Sequence, residues 1–228
     1  MIHYKTEEEI EVMKESCQLA AEVLIMIEPY VKPGVTTERL NQICHEYIVS
    51  KGAVPSPLNY RGFPKSICSS VNEEICHGIP SDRKLRNGDI VNLDITTYLK
   101  GFHGDTSRTF FVGSPRKKAA KLVEVCKEAL QRGIEVVKPG AKLGDIGASI
   151  QNFAEGHGYS IVREFCGHGI GANFHEEPQI LHYGNFGDGL EIKKGMVFTI
   201  EPMINLGKPD LKILSDKWTA VTQDGQIS

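Results

Sequence analysis

Five residues of this 228-residue chain combine the type and spacing needed for chemistry: Asp94 and Asp105, His168 and His175, and Glu201. A turn signal, Lys100-Gly101, lies between the aspartates. A hairpin turning at Leu99-Lys100 would set Asp94 directly across from Asp105, with Cβ atoms roughly 4.5–5.5 Å apart. Two like charges so placed repel, and a shared proton, a nearby cation or a metal must compensate. The plain alternative is a hairpin with two outward, solvated aspartates. His168 and His175 share a loop with Gly167, Gly169 and Gly171, which lets backbone approach a ligand or another strand closely. The alternative there is two ordinary polar histidines. Aspartate, glutamate and histidine together suit Mn, Fe(II), Co or Zn rather than soft Cu(I). A metal pair in such a site would activate a water and polarise a carbonyl, which is hydrolytic chemistry. A metal-free carboxylate pair, as in an aspartic protease, would use the two aspartates but neither the histidines nor Glu201.

A tandem repeat must bring these residues together. Val31-Lys32-Pro33-Gly34 recurs as Val137-Lys138-Pro139-Gly140, and Lys51-Gly52 as His157-Gly158. Gly88-Asp89-Ile90-Val91-Asn92-Leu93-Asp94 recurs as Gly195-Met196-Val197-Phe198-Thr199-Ile200-Glu201. The offsets are 106, 106 and 107 residues, so the register holds and Asp94 and Glu201 are equivalent positions. Two half-domains facing each other with an acidic site between them would follow. Thr6 and Glu9 form a capping box opening a helix over 6–30, with Ile10, Met13, Cys17, Ala20, Ala21 and Leu24 on one face. A second helix runs to about Ser50, and 55–62 is loop. Short strands are expected at 66–71 and 89–97. The second half repeats the order, with helices at 117–137 and 143–157 and strands at 161–165 and 196–200. Helices then strands, in duplicate, predict an α+β fold: a mostly antiparallel sheet with helices on one face.

Composition narrows the function classes. With 40% hydrophobic and 24% charged residues and a net charge of −3, there is no electrostatic footprint for nucleic acid or an anionic membrane. No apolar run reaches the roughly 18 residues that span a bilayer, and the N-terminus lacks a signal-peptide core, which points to the cytoplasm. The six cysteines have no CxxC spacing, so they read as free thiols and not a zinc finger. The chain reads as one domain, 1–228, with halves at about 5–113 and 114–228.

The run Phe165-x-Gly167-His168-Gly169-Ile170-Gly171-x-x-x-His175-x-x-x-x-Ile180-x-His182-Tyr183 resembles the signature of type I methionine aminopeptidases. The resemblance extends through Phe63-Pro64-Lys65-Ser66, Cys76-His77-Gly78-Ile79-Pro80, Asp94, Gly104-Asp105-Thr106 and Thr199-Ile200-Glu201-Pro202. It implies the pita-bread fold, whose two pseudo-symmetric halves share a curved sheet. It also implies a metallopeptidase that removes the initiator methionine where the second residue is small. Asp94, Asp105, His168 and Glu201 would be metal ligands, with Asp105 bridging. His77 and His175 would contact substrate and Glu201 would relay a proton. Tyr60, Phe63, Cys68, Phe174 and Trp218, with His77, would form the methionine pocket. Implied partners are the nascent chain and, transiently, the ribosome, for a monomeric enzyme.

The lack of a Cys-rich N-terminal extension and the 33-residue separation of His168 and Glu201 favour a bacterial or organellar type I form. The family also carries a bridging glutamate on a last strand after an Asp-Gly turn. Here that turn is Asp224-Gly225 and the sequence stops at Ser228. The expectation is a chain cut short: the final strand missing, an open sheet edge, and one divalent ion or none held tightly rather than two. Competing readings are a non-catalytic partner-binding relative, which would be expected to lose ligands, and a related dipeptide hydrolase, which would carry an accessory domain.

Overall fold

The computed structural model describes all residues 1–228. Thr6 opens α1 (Glu7–Ile27) through the expected capping box: its hydroxyl accepts from Glu9 N (3.2 Å) while Glu9 accepts from Thr6 N (2.8 Å). Pro29 lacks an N–H, and the helix passes at Glu28 into a single 3-10 turn. α2 (Thr37–Ser50) and β1 (Val54–Pro55) lead through the 55–62 loop to β2 (Cys68–Val71) and β3 (Glu74–Cys76). The long hairpin β4 (Ile90–Leu99) and β5 (Phe102–Phe111) completes the first half. The second half holds α3 (Lys117–Glu135), α4 (Leu143–Gly156), β6 (Ser160–Ile161), β7 (Gly167–Gly169), β8 (Glu176–Ile180), β9 (Ile204–Asn205), β10 (Leu211–Ile213) and β11 (Ala220–Thr222). Every strand pairing is antiparallel. β4 pairs with β5 along one edge and with β2 and β1 along the other, while β11 pairs with β3 and so ties the halves together.

The repeat survives in detail. Gly34 and Gly140 both have φ +89°, Gly52 and Gly158 have +74° and +81°, and Gly88 and Gly195 have +92° and +89°. Each repeated glycine thus marks a left-handed turn that a side chain would strain. Gly34 N donates to Leu85 O and Gly140 N to Ile192 O, and Thr36–Lys84 and Lys142–Glu191 form matching bridges. The apolar core divides along the same line. One cluster around Val23, Leu40, Ile67 and Leu93 lies wholly in the first half, and one around Leu122, Ile146, Ile150 and Ile204 in the second.

Three expectations need correction. The hairpin turns at Lys100 (φ +51°) and Gly101 (φ +88°), the pair of positive-φ residues a two-residue turn requires, and not at Leu99-Lys100. The register shifts by two: Asp94 faces Ser107 and Asp105 faces Thr96, so the aspartates are diagonal neighbours on one face. Second, 196–200 is extended but makes only one bridge, Phe198 with Gly169, so it is not a regular strand; the expected 161–165 strand stops at Ile161. The last bond to the facing segment is Val162 N to Met203 O at 3.1 Å, and the pairing ends there. Third, α1 buries Ser16 and leaves Cys17 exposed. Ser16 is accepted in the interior because its hydroxyl bonds Thr97 O and Thr97 Oγ1, both at 2.9 Å.

That contact seats α1 on β4 at Thr97, whose partner across the hairpin is Gly104 of β5. A Cβ on Gly104 would lie 2.4 Å from Cys17 N and Ser16 C, both backbone atoms that cannot step aside. Gly104→Ala is therefore expected to lower unfolding stability by about 3 kcal/mol. A loss below 1 kcal/mol in urea titration would mean that helix and strand do not meet this closely.

Candidate metal centre and aromatic pocket

The pseudo-symmetric strands deliver four polar groups to one place. β4 brings Asp94, in register with Cys68 of β2. β5 brings Asp105, one strand over and diagonal to Asp94, near enough that each carboxyl acts on the other. β7 brings His168, whose Nε2 lies 3.8 Å from Asp105 Oδ2 and 3.6 Å from Glu201 Oε1. His168 Nδ1 donates to Gly169 O at 2.9 Å, which fixes the tautomer and leaves the Nε2 lone pair facing the carboxylates. Thr199, two residues before Glu201 and on the same face, donates to Glu201 Oε1 at 2.5 Å and accepts from His168 N at 2.9 Å. His182, fully buried, accepts Glu201 N–H at Nε2 (3.1 Å), while its Nδ1 has no partner.

The electrostatics of this cluster are unfavourable as it stands. Burial pushes Asp94 up to about 6. Burial, with the charges of Asp94 and Glu201, raises Asp105 well above the carboxylate range. Burial likewise pushes Glu201 up to about 8, although 39% of its side chain stays exposed and solvent screens part of that rise. The one ion-pair candidate for these acids is His168, and burial lowers its pKa so that it stays neutral. Three acids with no lysine or arginine beside them must hold protons or share a cation. The donor set, carboxylates plus a neutral imidazole, suits a borderline divalent metal. No three of these groups converge on one point as the side chains stand. The Thr199 hydroxyl donates to Glu201 and so favours its charged form, while burial works the other way; a cation would tip the balance to the carboxylate.

Beside the acids lies an aromatic wall in two groups. Tyr60 packs on Phe174 (4.9 Å between ring centroids) and stacks on His175 (5.1 Å), and His175 lies 4.1 Å from His168. Phe63 meets Trp218 edge-on at 5.2 Å, and His77 meets Phe165 and Trp218 at 5.2 and 6.4 Å. Cys68, buried, pairs with Asp94 in the β2–β4 register; burial first, then Asp94, keeps its thiol protonated. His77 sits at φ +55°, rare for a residue with a Cβ, so the turn holds its ring toward Phe165 at some cost in strain. Burial lowers both His77 and His175, the latter to about 4.

The structure thus places Asp94, Asp105, His168 and Glu201 near one another, the aspartates by a different register, with Tyr60, Phe174 and His175 beside His168 and with Phe63, His77 and Trp218 in a second aromatic group. It adds four that sequence reasoning gave no role. Thr199 could have been found from its i, i+2 spacing to Glu201. His103, which bonds Ser56 Oγ (2.8 Å) and stacks on Phe174, directly precedes Gly104-Asp105. Phe165 and His182 stood inside the quoted signature without an assignment.

Residues 11–222 match the profile of metallopeptidase family M24. The chain is 54% identical to the methionine aminopeptidase of Rickettsia prowazekii over 229 aligned positions, covering all of this chain and 88% of that protein. It is 53% identical to the methionine aminopeptidase of Escherichia coli K12, covering all of this chain and 87% of that one. The crystal structure of the Rickettsia prowazekii enzyme superposes with a TM-score of 0.99 at 53% identity, over the whole chain and 92% of that structure. The mixed α and antiparallel β architecture is accordingly the pita-bread fold, and no helix is long and apolar enough to cross a membrane. The chain belongs to metallopeptidase family M24, among its methionine aminopeptidases.

Proposed function

We propose that this protein removes the first methionine from new polypeptide chains whose second residue is small, by attack of water on the first peptide carbonyl. The observation that carries this reading is the buried acid cluster against an aromatic wall, in a chain that matches methionine aminopeptidases end to end. Asp94, Asp105, His168 and Glu201 would hold the divalent ion, Co, Mn, Fe or Zn. One ion would sit by Asp105, His168 and Glu201, and a second, weaker one by Asp94 and Asp105. When bound, such an ion lowers the pKa of water and polarises the scissile carbonyl. The protein's own groups do the rest. His77 and His175, both neutral, each offer an N–H to the carbonyl oxygen as it gains charge. Glu201, steadied by Thr199, takes a proton from the attacking water and returns it to the leaving amine. Tyr60, Phe63, Cys68, Phe174 and Trp218 take the methionine side chain, since a flexible thioether packs well on aromatic faces. We further assign it to the cytoplasm as a monomer that meets nascent chains transiently at the ribosome, with no nucleic-acid or membrane contact of its own.

The test is release of methionine from a Met-Ala-Ser peptide after supplying Mn, Fe(II), Co or Zn to chelator-treated protein. Release with at least one metal, and none in chelator, is expected. No release with any of the four would overturn the reading. His175→Ala is expected to lower kcat about 100-fold with little change in KM, because its N–H acts on charge present only in the transition state.

A further inference from the structure

Lys5 lies just before the capping Thr6, where a lysine would ordinarily extend into water. Instead it is 5% exposed, and its ammonium pairs with Glu176, whose side chain is itself 9% exposed. Glu176 directly follows His175. Its second oxygen accepts Asn173 N at 3.0 Å, Gly171 N donates to Asn173 O at 3.1 Å, and His103 N donates to Gly171 O at 2.8 Å. The pair therefore closes the loop 170–176 that carries Phe174 and His175.

Two glycines are shaped around the same lysine. A Cβ on Gly171 would lie 2.4 Å from Lys5 Cε and 2.7 Å from its Nζ, and one on Gly195 would lie 2.9 Å from Lys5 O. Lys5 N also donates to Gly195 O at 2.7 Å, and Gly195 opens the segment that ends in Thr199 and Glu201. Lys5 Nζ has one further acceptor, His3 O at 3.3 Å. Burial alone would push the Glu176 carboxyl up, but Lys5 and Asn173 N–H outweigh it and hold it below the usual range. A buried ion pair is a poor device for stability, since apolar side chains of similar volume usually serve as well. A directional one, bonded at both carboxylate oxygens, fixes geometry.

We propose that Lys5 is a positioning residue for His175, acting through Glu176 from an N-terminal strap that crosses to the second half. The proposal rests on the aminopeptidase reading, in which His175 contacts substrate, and adds to it a part for a segment outside the repeat. Lys5→Met keeps the stem and removes the ammonium. Amide hydrogen exchange over 170–177 is expected to quicken at least tenfold in this variant, with α3 and α4 unchanged. On Met-Ala-Ser peptide, well below the variant's thermal midpoint, kcat is expected to fall at least tenfold. KM and the calorimetric affinity for Mn should each stay within threefold of the parent. Lys5→Met/Glu176→Gln, which leaves no lone buried charge, should regain the thermal midpoint while kcat stays low. Parent-like exchange over 170–177 in Lys5→Met would overturn the proposal, as would a double variant whose kcat recovers with its thermal midpoint. If the parent releases no methionine yet exchange quickens as expected, the aminopeptidase reading fails and the positioning of the loop stands.

Discussion

Asp105→Asn is expected to lower methionine release by about 1,000-fold while making the metal-free protein more stable. The two effects share one cause. Asp105 is closely hemmed in: its side chain is 13% exposed, it faces the charges of Asp94 and Glu201, and it lies 3.8 Å from His168 Nε2. As a carboxylate without a cation it is opposed by burial and by both neighbours. Asparagine removes that opposition and keeps the shape, so the metal-free thermal midpoint should rise. The same change removes the one carboxylate placed to serve both candidate ion positions, so added Mn should no longer raise the midpoint. An aspartate kept only for packing would behave oppositely, losing stability and sparing turnover. Thermal melts with chelator and with Mn, alongside peptide hydrolysis, separate the two. A metal-free midpoint that falls, with activity retained within tenfold, would contradict this account of Asp105.

The same electrostatics predict how stability follows pH. Unfolded carboxyls titrate near 4, whereas burial holds Asp94 at about 6 and Glu201 up to about 8 in the fold, and also holds Asp105 well above its ordinary range. A group whose folded pKa is raised binds its proton more tightly in the native state. Its contribution is complete below pH 4 and is lost as pH rises from there through the folded value. Metal-free protein should therefore lose stability from pH 5 to pH 8, by a few kcal/mol, or about 5–10 °C in the thermal midpoint. A divalent ion takes the place of the protons. Its stabilisation should grow over the same interval, and binding near pH 6 should release protons, measurable by calorimetry in buffers of different ionisation heat. A chelated midpoint that is flat or rises from pH 5 to pH 8 would show that these carboxyls are not protonated in the fold.

Much of the architecture was legible because the repeat is written in glycines. Gly34, Gly88, Gly140 and Gly195 adopt nearly the same positive φ, so a sequence echo reported a backbone echo. Asp94 and Glu201 were legible for a related reason, since they hold equivalent places in the two copies, each after an apolar run. The register of Asp94 against Asp105 was not, because a shift of one residue at the turn moves the partner by two and preserves the face, leaving no mark in the alternation. On α1, Met13, Ala20 and Leu24 face inward as expected, but Cys17 and Ala21 are exposed, and Ser16 is buried in place of Cys17 through bonds to Thr97 that periodicity cannot foresee. Lys5 and His182 were illegible for the same reason. Lys5 acts on a carboxylate 171 residues away and His182 on a backbone N–H 19 residues away. Their roles exist only once the strands are in place.

The most direct test of the central claim is anomalous diffraction from crystals grown with Mn. The account predicts a peak bonded to Asp105, His168 and Glu201, with any second peak bonded to Asp94 and Asp105. Manganese bound elsewhere on the protein, with no peak at any of these four side chains, would contradict it.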